Sequence, residues 1–228
     1  MSSSTIERLT KEELQQAAAI LGCTLKKYGV KFGIIGGAAT GLISAFHRQQ
    51  YRGTKDIDIV IQPTAHIDAE SLSEALYTNH PEQFVKEDAG YGQFVPAIRL
   101  ADEATKREKY VEVEIFDVEA WPTRPQYDLS KPDNDRVMFK INQSDVYVLS
   151  PRWLLREKLL SQKQRQGSAK EGSDIDDIEM LLEMVGAKAL TLTEQEHIEA
   201  LRSLLEKRPD LRVALEAAIE CSQVFQKG

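Results

Sequence analysis

FGIIGGAATGLISAFHRQQYRGTKDIDIVI, running from Phe32 to Ile61, is the stretch on which the reading of this chain turns. A short apolar run (Phe32 to Ile35) meets Gly36-Gly37, a helical segment follows, and the stretch closes on Asp56-Ile57-Asp58 inside a second apolar run. Successive side chains of a strand point to opposite faces, so residues two apart share a face and lie roughly 6 to 7 Å apart along the chain. Asp56 and Asp58 therefore share one face, while Ile57, Ile59 and Ile61 point the other way into a core. Two carboxylates so placed can grip divalent metal, and sites that catalyse in-line phosphoryl displacement hold two ions about 3.5 to 4 Å apart. Backbone N–H groups at the Gly-Gly turn, helped by the following helix dipole, suit phosphate oxygens. Each feature also has a plain reading: Gly-Gly as a turn that needs positive φ, and Asp-x-Asp as a solvated strand face. The plain reading fits the acids poorly, because Asp is depleted in strands and this strand is otherwise isoleucine and valine. Such local violations are where functional sites are expected.

A later run, Tyr110 to Val118 (YVEVEIFDV), supplies further acids. Phased as a strand, Glu112, Glu114 and Phe116 share one face, and Val111, Val113, Ile115 and Asp117 the other. Between helix and acids, His47 to Lys55 forms a polar connection with Arg48, Arg52 and Lys55, cations that either meet a triphosphate or belong to a solvated loop.

A strand, Gly-Gly, a helix and then Arg52-Gly53-Thr54-Lys55-Asp56-Ile57-Asp58 resembles the polymerase-beta-like nucleotidyltransferase superfamily, and within it the AbiEii-type small nucleotidyltransferases. The resemblance implies that Gly36 and Gly37 pack against the triphosphate of an NTP. It further implies that Asp56 and Asp58 ligate Mg2+, with Mn2+ as a substitute, and that a third acid on a later strand completes the site. Glu114, flanked by Val113 and Ile115, matches that third position best, with Glu112 and Asp117 as alternatives. Many members carry Ser where this chain has Gly37, and Asp where it has Glu114. Arg52 and Lys55 become candidate triphosphate partners. So does Lys158, which precedes an Asp-Ile-x-Asp-Ile run (Asp174 to Ile178) as in the AbiEii-type pattern; the plain reading leaves that lysine in solvent.

The remaining chain is read from periodicity and punctuation. Thr10-Lys11-Glu12-Glu13 has capping-box form ahead of a helix over 11–28 that ends at Gly29. Strands are expected over 30–35, 56–62, 97–100, 110–118, 136–141 and 146–149, with a helix over 67–77 and an uncertain strand and turn over 84–95. A charged loop, ADEATKREK, separates the strands at 97–100 and 110–118. Residues 121–135, with Pro122, Pro125 and Pro132, form a long loop that either lines an acceptor pocket or is a surface excursion. Ser150-Pro151 starts a helix. A second is expected to start at Ser173 with Asp174 and Asp177 near its positive end, a third at Thr193 to Glu196, and a last from Arg208-Pro209 to Val224.

The 228 residues carry 36 acidic and 29 basic side chains, a formal charge of −7. This argues against broad charge-driven binding to nucleic acid, which rests on basic surface, but leaves room for a local basic groove. Cys23 and Cys221 are expected as free thiols on helices, and the four histidines lack zinc spacing. No basic start followed by an apolar run opens the chain, and no apolar run nears the roughly 20 residues of a membrane span, so a cytoplasmic protein is expected. The expectation is an α/β (α+β) nucleotidyltransferase fold, a small mixed, largely antiparallel sheet with flanking helices. Its catalytic domain would span 1–149 and a helical subdomain 150–228, with the site between them. The implied chemistry is metal-dependent transfer of a nucleoside monophosphate from an NTP to an acceptor hydroxyl on RNA, protein or a small molecule such as an aminoglycoside. A catalytically silent nucleotide-binding or interaction module of the same fold is the alternative. AbiEii-type proteins often act as toxins beside an antitoxin, a partner the sequence itself does not display.

Overall fold

The computed structural model describes residues 8–47, 51–90, 93–102 and 107–225. The chain divides into two compact units, Met1–Leu149 and Ser150–Gly228.

In the first unit, the Thr10 hydroxyl accepts from the Glu13 amide and the Glu13 carboxylate accepts from the Thr10 amide. This reciprocal pairing satisfies two orphan donors and starts helix α1, Lys11–Lys27. Gly29, at φ +66°, stops it. Strand β1, Phe32–Ile35, leads into α2, Gly36–Phe46, and then into β2, Ile57–Ile61. Asp68 and Ser71 cap α3, Ala69–Asn79, in the same reciprocal way. Strands β3 (Phe84–Gly90), β4 (Gln93–Asp102), β5 (Arg107–Phe116), β6 (Arg136–Ile141) and β7 (Ser144–Leu149) complete one mixed sheet, ordered β3-β4-β5-β2-β1-β7-β6. β2 runs parallel to β5 and β1 parallel to β7, while the other four pairs are antiparallel.

One sheet face is apolar. Ile57, Ile59, Ile61, Val111, Val113, Val146 and Val148 are all fully buried. Helix α1 lies on this face, with Gly22 so close to Val146 that an added Cβ would stand 3.3 Å from its Cγ2. The Tyr28 hydroxyl donates to the Ala75 carbonyl, tying α1 to α3, and Gly41 of α2 rests against Leu14 of α1. The opposite face carries Asp58, Glu112 and Glu114.

The sheet is larger than the pattern suggests. Residues 84–90 and 93–102 pair as antiparallel strands, which Lys86, Glu87, Asp88 and Gly90 disguise by breaking the alternation, as does a register shift between Asp88 and Gly90. Pro96 sits within β4, opposite Lys86. The charged loop is correspondingly shorter, since β4 and β5 extend into it; Gly92 and residues 103–106 of that region lie outside the described residues. The 121–135 segment is packed, not loose: a 3-10 turn spans Pro125–Tyr127, and Tyr127 and Leu129 are buried.

In the second unit, the Ser150 hydroxyl accepts from the Trp153 amide and opens α4, Pro151–Gln164. Helix α5, Ala169–Leu182, starts before the expected Ser173, so Asp174 and Asp177 lie buried in its interior and do not cap it. A short strand β8, Leu190–Thr191, precedes α6, Gln195–Lys207, which starts from Glu194 without the expected capping bond. A 3-10 turn, Pro209–Leu211, and α7, Arg212–Ala218, follow. The last helix stops at Ala218, short of Val224, because Ile219 turns extended and joins β9, Ile219–Glu220, which pairs in parallel with β8. Cys221 is accordingly buried beyond a strand and not on a helix, whereas Cys23 is exposed on α1; both are free thiols. Gln162 donates to the Leu159 and Ala200 carbonyls, holding α4 to α6 through a fully buried amide.

Candidate active site

Strand pairing assembles the acids. The antiparallel register sets Ile35 opposite Asp58, and the parallel register sets Asp58 beside Glu114. Neighbouring strands lie about 4.8 Å apart, so these two carboxylates spring from adjacent points of one face. Glu112 precedes Glu114 by two residues on that face, and Asp56 stands just ahead of β2. Burial, followed by the negative charges of Asp56, Glu114 and Glu87, pushes the Glu112 carboxyl above its ordinary range. Glu112 is thus within electrostatic reach of both Asp56 and Glu114.

The Gly-Gly turn closes over this group. Gly36 has φ +63°, and an added Cβ would come within 2.5 Å of Asp58 Oδ2. Both backbone conformation and lack of space require glycine there. At Gly37 a Cβ would lie 3.0 Å from Thr54 Oγ1 and 3.6 Å from an Arg52 guanidinium nitrogen. Thr54 is nearly buried, and its hydroxyl donates to Asp56 Oδ1 at 3.0 Å. Asp56 is therefore aimed by a neighbour two residues back, which no charge or periodicity signal singles out. Helix α2 begins at Gly36, next to Asp58, with no side-chain cap bond from Ile35.

Asp117 does other work. It is 1% exposed and accepts from the Ala69 amide at 2.7 Å and the Ala120 amide at 2.6 Å, one at the start of α3 and one in the turn after β5. Of Glu112, Glu114 and Asp117, Glu114 is the one in register with Asp58.

Asp56, Asp58 and Glu114 offer carboxylate oxygens alone, the donor type that Mg2+ and Mn2+ prefer. The space that a side chain at position 36 would take is filled by the Asp58 carboxylate. Among the described residues, no group of three or more His, Cys, Asp or Glu side chains is placed so that it could hold a metal ion. Strand register brings Asp58 and Glu114 to one face, and carboxylate oxygens are donors of the type a hard cation takes.

Residues 22–223 match the family model described as Nucleotidyl transferase AbiEii toxin, Type IV TA system. This chain belongs to the AbiEii nucleotidyltransferase family. A crystal structure of an antigenic nucleotidyltransferase-like protein from Paracoccidioides brasiliensis is similar at 39% identity and a TM-score of 0.88, covering 97% of this chain and 100% of that one. JHP933 from Helicobacter pylori is 15% identical with a TM-score of 0.49, over 95% of this chain and 80% of that one. The antibiotic-resistance factor ANT(2″)-Ia is 14% identical with a TM-score of 0.44, over 95% of this chain and 97% of that one. No curated protein matches. The enzyme is thus a nucleotidyltransferase, with the mixed sheet and flanking helices of that fold.

Of the cations expected to serve this nucleotidyltransferase, Arg52 is half-buried beside Gly37 and Lys55 is exposed ahead of Asp56. Arg48 lies outside the described residues. Lys158 is neither in solvent nor unpaired: it is 6% exposed, with its ammonium 2.7 Å from Asp174 and 2.8 Å from Asp177. Arg165 joins Asp174 at 3.1 Å. This network lies wholly within the second unit. Among the described residues, no helix is long and apolar enough to cross a membrane.

Proposed function

We propose that this nucleotidyltransferase transfers a nucleoside monophosphate from an NTP to an acceptor hydroxyl and that Asp56, Asp58 and Glu114 carry the reaction. The observation that supports it most is the Asp58–Glu114 register beside a Gly36 that leaves room for no side chain. Asp56, Asp58 and Glu114 would hold Mg2+ or Mn2+, which when bound neutralises charge on the attacked phosphate. The amides at Gly36 and Gly37 receive phosphate oxygens, and Arg52 and Lys55 add positive charge on the same side. Lys158, by contrast, already has two carboxylates to balance its charge. Thr54 keeps Asp56 in one orientation. The Glu114 carboxylate takes the acceptor proton. The acceptor oxygen bonds to the α-phosphorus as the bond from that phosphorus to the bridging oxygen breaks, and pyrophosphate leaves with the electron pair.

The family description supports a toxin with an antitoxin partner. Use of an NTP as substrate supports a cytoplasmic setting. Transfer of α-³²P from each of the four NTPs, with magnesium or manganese, into the RNA, protein and small-molecule fractions of a cell extract tests the reading. Label that appears with the wild type and vanishes with Asp56→Ala/Asp58→Ala supports it. A folded wild type that transfers from no NTP overturns it and favours a silent nucleotide-binding module.

A further inference from the structure

A second polar feature occupies the same sheet face. A hollow of about 290 Å³ is lined by Lys31, Lys131, Asn134, Asp135, Arg136 and Tyr147, among others. Its place follows from the strand ladders. Gly33 pairs with Val60 and Ile35 with Asp58, and the Gln62 amide donates to the Lys31 carbonyl, so Lys31, Gly33 and Ile35 alternate onto the Asp58 face. Tyr147 and Leu149 belong to that face as well: an added Cβ on Gly33 would strike Leu149, and Arg136 pairs with Leu149. Lys31 and Ile35 are four residues apart, about 13 Å along the strand at roughly 3.3 Å per residue. The hollow is thus a separate station on the surface that carries the acids, a short molecule's length from them.

Its charge is opposite to that of the acid group. Three cations and one carboxylate line it, in a chain of net charge −7. The neighbouring Asp128 carboxylate is engaged by the Ser130 amide and hydroxyl. Arg136 is the built element. One guanidinium nitrogen donates to the Phe32 carbonyl at 2.6 Å, and the group lies 4.6 Å from the Tyr147 ring centroid. Stacking and hydrogen bond fix its plane, as recognition of planar oxyanions requires. Burial lowers its affinity for its proton, and the offsetting influence is the Tyr147 phenol, not a carboxylate. A fixed, partly desolvated cation flanked by two lysines suits an incoming oxyanion.

We propose that this hollow binds a phosphate group of the acceptor, so that the acceptor is a hydroxyl-bearing molecule that also carries phosphate and not a neutral or cationic one. The inference rests on the nucleotidyl-transfer reading of Asp56, Asp58 and Glu114. The shared chemistry has two sources, a phosphodiester of a nucleic-acid end and a small phosphomonoester, and the test separates them.

Fluorescence anisotropy of a labelled single-stranded RNA octamer is followed for the full chain, with glucose 6-phosphate and then glucose as competitors. Lys131→Glu, at an exposed side chain, reverses one charge without disturbing the packing; Arg136→Lys keeps the charge and loses the fork. Calorimetric titration with the four α,β-methylene NTPs in magnesium runs alongside. The expected result is octamer binding that weakens at least tenfold in Lys131→Glu and severalfold in Arg136→Lys, with unchanged NTP-analogue binding. Competition by glucose 6-phosphate but not glucose assigns the small phosphomonoester; octamer binding that resists both assigns the phosphodiester. If the octamer fails to bind, direct titration of glucose 6-phosphate with the same variants decides. The proposal falls if neither phosphate probe binds, if glucose competes equally, or if both variants bind as the wild type does. It also falls if the variants weaken the NTP analogues instead, which would make the hollow part of the nucleotide site. A wild type that binds no NTP analogue breaks the nucleotidyl-transfer reading itself, a result independent of the octamer measurement.

Discussion

A group of close carboxylates in each unit of this enzyme meets a different environment. In the second unit, Asp174 and Asp177 are nearly inaccessible and share the buried Lys158 ammonium, with Arg165 alongside. In the first, Asp56 accepts from the Thr54 hydroxyl, Glu114 is exposed, and burial, followed by acidic neighbours, makes Glu112 hold its proton more tightly. Buried charge with an internal counter-ion is structural chemistry, costly to interrupt. Acids gathered at a part-open place, where burial and neighbouring charge raise the proton affinity of Glu112, mark a candidate functional site.

The contrast is sharpest in activity. Asp58→Asn should reduce nucleotide transfer by on the order of 10³-fold, while leaving the thermal midpoint equal to or above that of the wild type. Radiolabel transfer and calorimetry on the same preparation test both halves, and a large loss of stability would break the comparison. Lys158→Met should do the reverse. Removing one partner from a buried ion pair costs about 3 to 5 kcal/mol, so its urea midpoint should fall sharply. If the folded variant instead keeps its stability and loses NTP affinity, Lys158 belongs with the triphosphate and the contrast collapses.

Thr54→Val is a finer probe. Loss of one aiming hydrogen bond, about 1 to 2 kcal/mol, should lower transfer roughly tenfold, with Thr54→Ser recovering most of it. Smallest is a pH effect in the second unit. Burial holds the His197 imidazole below its ordinary value, against the opposing influence of Glu194 and Glu157. The folded protein therefore favours the neutral ring. That stabilisation is present above about pH 6.5 and is lost as pH falls through the lowered folded value. Comparing urea midpoints at pH 7.5 and 5.0, His197→Gln should lose less on acidification than the wild type.

Much of the first unit can be read from sequence because its signals are local. The Thr10–Glu13 capping box, the strand, Gly-Gly and helix succession, and the alternation around Asp56 and Asp58 each specify structure within a few residues. Glu114 could be phased as a strand residue from its own neighbourhood, but its place beside Asp58 depends on a parallel pairing across more than fifty positions, which only the fold reveals. Residues 84–90 and 93–102 escape because charged side chains and Pro96 occupy antiparallel strands whose partners hold them in register regardless. Asp174 and Asp177 mislead for a related reason: acids after a serine look like a helix start, yet Ser168 is the helix boundary and burial with Lys158 is their purpose. Thr54 is invisible until its hydroxyl is seen on Asp56.

The short β8–β9 pairing has a mechanical meaning. Leu190 and Ile219 lie side by side although α6 and α7 intervene, and flanking bonds from Lys188 to Ala217 and from Leu192 to Glu220 extend the join. The segment between them is a ring closed by a clasp. Because the two strands run parallel, tension applied through Cys221 and beyond loads those hydrogen bonds together, in shear, before α6 can unwind. A pull on that end of the chain is thus borne by a latch, and the two helices inside the ring should let go as a unit once it yields.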